Sequence, residues 1–209
     1  MHRPLAAALA AAALAVSGEA SAQTWSQHTG IYFRAAGVLS VMDPAALTFT
    51  ADSRSTASRL DMPLTFSGKQ LGWSRAAMGG ASLGVALDAR WFYVRIGADL
   101  FPAPEITVQP TRFRADVLSL AWAAVGPRYS WRQFAVYLGA RVGAAVMELR
   151  SSNGAVEYTA ITGTYSAEAG FQWAPLRWLR VDATLAQDFA SVGVTNLSVA
   201  ASVGWSRGP

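Results

Sequence analysis

The chain has 209 residues, 52% of them apolar and only 14% charged, with a formal net charge of +4 and no cysteine. That length suits one domain, and the balance excludes intrinsic disorder, which needs low hydrophobicity and high net charge. Without cysteine there is no disulfide framework, no thiolate metal site and no lipidated N-terminal cysteine.

The first segment reads as an export signal. Met1-His2-Arg3 is positive, Leu5 to Val16 is unbroken leucine, alanine and valine, and Ala20-Ser21-Ala22 supplies a small-x-small cleavage pattern. The apolar run is about a dozen residues, too short to span a bilayer as a helix and right for a signal peptide. We therefore expect a cleaved segment 1–22 and a mature domain 23–209 beginning at Gln23. No later run of 18 apolar residues offers a transmembrane helix.

Period-two alternation then recurs along the chain. In 30–40, Ile31, Phe33, Ala35 and Leu39 oppose Tyr32, Arg34 and Ser40. In 80–89, Leu83, Val85 and Leu87 oppose Ser82, Gly84 and Asp88. In 91–101, Phe92, Val94, Ile96 and Leu100 oppose Tyr93, Arg95, Gly97 and Asp99. In 113–126 the alternation is weak, with Leu118, Leu120 and Trp122 sharing a face. In 134–146, Val136, Leu138, Val142 and Val146 oppose Tyr137, Gly139, Arg141 and Gly143. In 158–173, Ile161, Tyr165, Ala167 and Phe171 oppose Thr162, Thr164, Ser166, Glu168 and Gln172. In 178–188, Leu179, Val181 and Leu185 oppose Arg180, Asp182 and Thr184. In the last run, Leu197, Val199, Val203 and Trp205 oppose Ser198, Ser202 and Gly204. These are eight strands, each about 10–14 residues, against the roughly 9–11 that a tilted strand needs to cross hydrocarbon.

The connections alternate in length. Short turns fall at Asp88-Ala89-Arg90, at 129–132 and at Ala174-Pro175-Leu176, and longer segments at about 41–76, 102–112, 147–157 and 189–195. An outer-membrane barrel has this asymmetry, with short periplasmic turns and longer loops outside. Of eight tryptophans, Trp91, Trp131, Trp173 and Trp178 adjoin short turns, and Trp25 and Trp205 mark the chain ends. Six thus map to one rim, where indole suits the headgroup interface. A weaker second girdle is expected from Trp73, Phe101, Phe113, Tyr158 and Phe189. In hydrocarbon an unpaired strand edge is costly, so the first strand must pair with the last. The expected fold is all-β: a closed antiparallel eight-stranded transmembrane β-barrel.

The stretch Val125-Gly126-Pro127-Arg128-Tyr129-Ser130-Trp131, followed by Phe134-Ala135-Val136-Tyr137-Leu138-Gly139-Ala140-Arg141-Val142-Gly143, carries a resemblance. It is similar to the small outer-membrane β-barrels that include the OmpA transmembrane domain and the OmpX-type and opacity-type proteins. The resemblance implies that a terminal aromatic, here Trp205, is read by the barrel-assembly machinery, although Ser206-Arg207-Gly208-Pro209 follow it. No peptidoglycan-binding domain follows the barrel, so that anchoring role is not implied.

The polar faces supply Arg34, Asp88, Arg95, Asp99, Arg141, Glu168, Arg180 and Asp182, four of each sign. An eight-stranded barrel is just wide enough for side chains to fill, and buried charges persist there when paired. We expect a lumenal Arg/carboxylate network. Glu168 and Asp182 would repel as neighbours unless Arg180 or Arg141 neutralises them. Such a network reads either as an ion pathway or as a structural plug, and the balanced charge and narrow bore favour the plug.

The resemblance also implies a check against lipid A deacylases, lipid A palmitoyltransferases and outer-membrane proteases, all of which rely on histidine. His28 is the single histidine of the mature chain, before the first strand, so we expect no enzyme, no metal site and no cofactor. The pI of 9.8 does not point to nucleic acid, because the basic residues form no cluster. Surface arginines suit lipopolysaccharide phosphates, and the excess of arginine over lysine reads equally as genome composition. The first loop, from Val41 to Arg75, is about 35 residues, far longer than a connection needs. Leu47–Thr50 and Leu64–Ser67 can continue the two strands in a protruding hairpin, which reads either as an edge open to strand addition, with Arg54, Arg59 and Lys69 as surface contacts, or as an ordinary variable loop.

The sequence thus predicts a monomeric, non-enzymatic protein of the bacterial outer membrane. Its role is envelope integrity or surface interaction through extracellular loops, with lipids and lipopolysaccharide as partners. The alternatives are a narrow gated pore for ions or small solutes, and a soluble periplasmic lipocalin-like binder.

Overall fold

Alternating apolar side chains, β-branched or aromatic at many positions, favour the pleated strand, and the chain forms little else. The computed structural model describes residues 28–51, 65–71, 75–102, 105–108, 111–115, 118–151, 156–189 and 193–207. The segment 1–22, Trp25, Arg54, Arg59 and Trp73 lie outside the described residues. In chain order the strands are β1 (Thr29–Met42), β2 (Thr48–Ala51), β3 (Thr65–Ser67), β4 (Ala76–Asp88), β5 (Phe92–Phe101) and β6 (Glu105–Val108). They continue with β7 (Thr111–Ala115), β8 (Leu118–Trp131), β9 (Phe134–Ser151), β10 (Glu157–Leu176), β11 (Leu179–Asp188) and β12 (Thr195–Arg207).

Eight of these close a ring in the order β1, β4, β5, β8, β9, β10, β11, β12. Every neighbour is antiparallel, and the ring shuts where β1 meets β12, with Tyr32 opposite Gly204 and Phe33 opposite Val203. The remaining four strands make two hairpins outside the ring. The β2–β3 hairpin pairs with β10 and the β6–β7 hairpin with β9.

The apolar stripe faces out. Phe33 is 59% exposed, Leu83 61%, Leu138 60% and Val199 59%, whereas Arg34 is 5% and Arg180 0%. A water-soluble barrel would carry the reverse arrangement, so the lipocalin-like alternative is inconsistent with this one. The outer wall is built for an apolar solvent.

The structure departs from the sequence pattern at several places. The fourth predicted strand is split: 111–115 belongs to the outer hairpin, and the barrel strand begins at Leu118. Leu118, Leu120 and Trp122 do share a face, but it is the inward one, at 3%, 3% and 6% exposure. The weak alternation there has a physical reason: both faces of that strand end are apolar. The turn expected at 174–176 lies at Arg177-Trp178, and Pro175 sits in a register shift of β10 instead. A proline lacks the ladder donor, so a bulge is where it fits. In the second girdle, Phe101 and Tyr158 are fully buried inside the barrel, while Phe189 is 74% exposed.

The interior has two layers. Toward the short turns it is polar and charged. Toward the long loops Val38, Met42, Phe101, Leu118, Met147 and Leu149 form an apolar cluster.

Candidate functional site

Inward positions of neighbouring strands converge because the barrel is narrow. Nearest the turns, Asp88 at the end of β4 accepts from Arg180 and, at 2.9 Å, from Gln172 Nε2. Arg95 Nη2 approaches the same carboxylate at 3.8 Å. Arg128 donates to Gln172 Oε1 at 2.6 Å and to the Ala89 carbonyl at 2.9 Å. Arg180 also donates to the His28 carbonyl at 2.8 Å and stacks 3.9 Å from the Tyr32 ring centroid. The floor of the lumen is thereby tied to the start of β1.

One level up, Asp182 receives Arg34 and Arg95, each at 3.5 Å, and hydrogen bonds from Tyr137 at 3.2 Å and Thr184 at 3.1 Å. Arg34 donates to Ser198 at 3.0 Å. The Arg95 guanidinium lies 4.2 Å from the Tyr137 ring and 5.0 Å from the Tyr93 ring, and Tyr93 donates to Glu168 at 2.8 Å. Above that, Asp99 accepts from Arg141 and from the Trp122 indole at 2.8 Å, with Arg141 stacked on the same indole at 4.2 Å. Charge-assisted bonds and cation–π contacts together offset the desolvation of these groups.

The structure therefore places Arg34, Asp88, Arg95, Asp99, Arg141, Glu168, Arg180 and Asp182 on the inward face and brings them into one connected set. The pairing differs from the one anticipated. Asp182 is neutralised by Arg34 and Arg95, and Glu168 is met by Tyr93 rather than by Arg180 or Arg141. Register explains this: Asp182 stands opposite Gln172, whereas Glu168 stands opposite Ala186, so the two carboxylates occupy different levels. Arg128, Tyr32, Tyr93, Tyr137 and Trp122 were not singled out as members. For Arg128 a signal existed, since it keeps the inward parity of Ala124 and Ser130.

Close packing between rings and backbone fixes the layer. Gly139 and Gly170 leave no room for a Cβ, because the Tyr93 and Tyr137 rings lie against them. The void among Arg34, Arg95, Asp99, Arg141, Glu168 and Asn196 is about 10 Å³, room for about one water. The lumen is filled at this level.

Above the charges the first loop folds back. The hairpin does not simply continue β1 and β4: β2 pairs with the outer end of β10, Thr50 opposite Thr159 and Ala51 opposite Tyr158. Its Leu47 and Phe49 are 1% and 0% exposed. Phe49 stacks on Phe66 at 5.3 Å, and Phe66 meets Tyr158 edge-on at 4.7 Å. One side of β2 is taken by β3 and the other by β10, so the outer edge of the hairpin among the described residues is the short β3. Lys69 is exposed in a single 3₁₀ turn after β3.

At the opposite rim, Trp91, Trp131, Trp178 and Trp205 are 59%, 37%, 47% and 76% exposed. Trp173 pairs across to Phe134 at the same end. His28 lies just before β1 on this rim. Burial, then the nearby Arg180 and Arg177, hold its pKa below 6.5.

No family model matches the chain, and no curated protein matches it in sequence. Among solved structures the chain is similar to Neisserial surface protein A (NspA), at 11% identity and a TM-score of 0.55, covering 84% of this chain and 97% of that one. It is also similar to Ail, the attachment invasion locus protein of Yersinia pestis, solved in complex with the heparin analogue sucrose octasulfate. That match has 12% identity and a TM-score of 0.51, covering 86% of this chain and 99% of that one. The closed ring, its outward apolar wall and these two likenesses lead to one conclusion: the chain has the fold of the small eight-stranded outer-membrane β-barrels.

Proposed function

We propose that the protein resides in the bacterial outer membrane as a non-enzymatic barrel, serving envelope integrity or surface interaction through its loop-side face. The observation that carries this reading is the filled lumen. Paired charges occupy its lower part, and an apolar layer beneath the β2–β3 hairpin closes its upper part. A conducting pore would have to break both layers, so the working surfaces are the outer wall and the two rims. The long β9 and β10, at 18 and 20 residues, exceed the roughly 9–11 residues that span hydrocarbon. They carry the loop side well clear of the bilayer, as a surface-interaction role needs. Ail, of the same fold, was solved with a sulfated sugar analogue. Basic residues of the first loop, Arg54, Arg59 and Lys69, are the corresponding contacts to test here.

Intact cells expressing the chain are the system for that test. Mild trypsin should cut the first loop at Arg54, Arg59 or Lys69 and spare the turn-side arginines, and the membrane fraction should migrate faster unboiled than boiled. The triple variant R54Q/R59Q/K69Q should keep the fast-migrating form and reduce adhesion of the cells to a heparin-coated surface. Release of the chain by carbonate washing would overturn the membrane assignment. Undiminished adhesion by the triple variant would overturn the role of the first loop.

A further inference from the structure

The turn-side rim repeats one small device. Arg90-Trp91 joins β4 to β5, and Arg177-Trp178 joins β10 to β11. In the first, the Arg90 carbonyl accepts from Ser130 Oγ at 3.2 Å and the Trp91 carbonyl from the Arg128 amide at 2.9 Å. In the second, the Arg177 carbonyl accepts from Ser206 Oγ at 2.8 Å and the Trp178 carbonyl from the Gly204 amide at 2.9 Å. The same scheme thus holds both dipeptides: a serine hydroxyl on the arginine carbonyl, and the amide two residues earlier on the tryptophan carbonyl. Tyr32 adds a further bond to the Arg177 carbonyl at 3.2 Å. The backbone is pinned, while all four side chains are exposed. At the first turn the Arg90 guanidinium stacks on its own indole, 4.8 Å from the centroid.

The strands that supply the serines complete the ring. Ser130 is followed by Trp131 and Arg132, and Ser206 lies between Trp205 and Arg207; both arginines are exposed. In the order of the barrel, these four places are the junctions β4/β5, β8/β9, β10/β11 and β12/β1, every second junction around the circumference. Among the described residues of these turns and ends (28, 89–91, 132–133, 177–178 and 205–207) there is no carboxylate. Asp88, the nearest one at the first turn, faces inward and is 1% exposed.

We propose that this ring of Arg–Trp pairs is a set of headgroup clips for anionic phospholipids of the inner leaflet. The guanidinium takes the phosphate through a charge-assisted, forked pair of bonds. The adjacent indole lies at the glycerol level, half apolar and half wet. A lipid fits better than a periplasmic polymer, because Trp131 and Trp205 stand on the outward face of their strands and so meet the bilayer from the side. The proposal rests on the membrane assignment made above. It goes further in naming the phosphate-bearing partner and the residues that select it.

The test is lipid selectivity of the refolded full chain in phosphatidylcholine vesicles carrying spin-labelled phosphatidylglycerol or spin-labelled phosphatidylcholine. The labelled anionic lipid should be enriched at the protein about fivefold, the change that one basic residue near an anionic surface supports. Half-molar NaCl should erase most of this preference. The variant R90Q/R132Q/R177Q/R207Q should lose it while keeping heat-modifiable migration, and R90K/R177K, which retains charge and indoles but not the fork, should keep only part of it. Inorganic phosphate at equal ionic strength should compete no better than chloride, as a lipid rather than a free-phosphate site requires. Equal selectivity for the two lipids, or selectivity kept by the quadruple variant, would overturn the proposal alone. Failure to insert in either vesicle would overturn the membrane assignment and the proposal together.

Discussion

The two halves of the barrel interior solve one packing problem in opposite ways. On the turn side the space is filled by arginines, carboxylates and tyrosines whose pairing offsets their burial. On the loop side it is filled by Met42, Leu47, Phe49, Phe101, Met147 and Leu149, as a water-soluble core would be. In the first half the strands contribute nearly everything. In the second, a loop hairpin from across the mouth supplies part of the filling. Polar filling specifies a single arrangement because every partner matters, whereas apolar filling is tolerant of shape.

That contrast can be broken most sharply at Asp88. Asp88→Asn leaves Arg180 and Arg95 short of their counter-charge, and removing one partner of a buried pair costs about 3–5 kcal/mol. The midpoint of the fast-to-slow gel transition against urea should fall for the whole barrel. On the loop side Phe49→Ala removes a buried ring worth about 3 kcal/mol by the usual cavity cost, with a local consequence. Trypsin should cut at Lys69 faster, while the barrel transition moves little. If both substitutions lowered the barrel transition equally, the two halves would be a single cooperative unit and the comparison would fail.

A smaller effect sharpens the same point. Asp99→Leu with Arg141→Met replaces a whole ion pair with apolar side chains of similar size, which is often neutral or stabilising. The Trp122 indole loses its acceptor, so the double variant should sit within about 1–3 kcal/mol of the parent. Each single variant should be worse than the double, as the same urea titration would reveal. The smallest effect belongs to His28. Its folded pKa is lowered by burial and by Arg180 and Arg177, so the unfolded chain takes up the proton first, near pH 6.5. Stability should therefore decline as pH falls below about 6.5, and His28→Asn should flatten that part of the profile.

Much of this was legible in the chain because lipid and lumen impose opposite demands on alternate residues. Ile31, Phe33, Leu83, Ile96 and Leu138 announce the outward face, and Arg34, Arg95 and Asp182 the inward one. The periodicity blurs where the lumen itself turns apolar, which is why the alternation around Leu118, Leu120 and Trp122 is weak and their face is not legible from the sequence. Alternation puts Tyr32, Tyr93 and Tyr137 on the same faces as Arg34, Arg95 and Arg141, but it does not say which charge each ring meets. The path of the first loop left no trace in the sequence: Leu47-Thr48-Phe49-Thr50 alternates equally well in a protruding hairpin and in one folded across the mouth.

What the sequence alone determined is the class of the protein: eight alternating strands, short turns on one side, and a rim of indoles. These follow from local periodicity and from the solvent each face must meet. Tertiary structure alone decided which charge meets which, and that the β2–β3 hairpin joins β10 and buries Leu47 and Phe49 over the lumen. Such choices depend on register and strand tilt around a closed ring. Residues as far apart in the chain as Arg34 and Asp182 become neighbours only when the last strand has paired with the first.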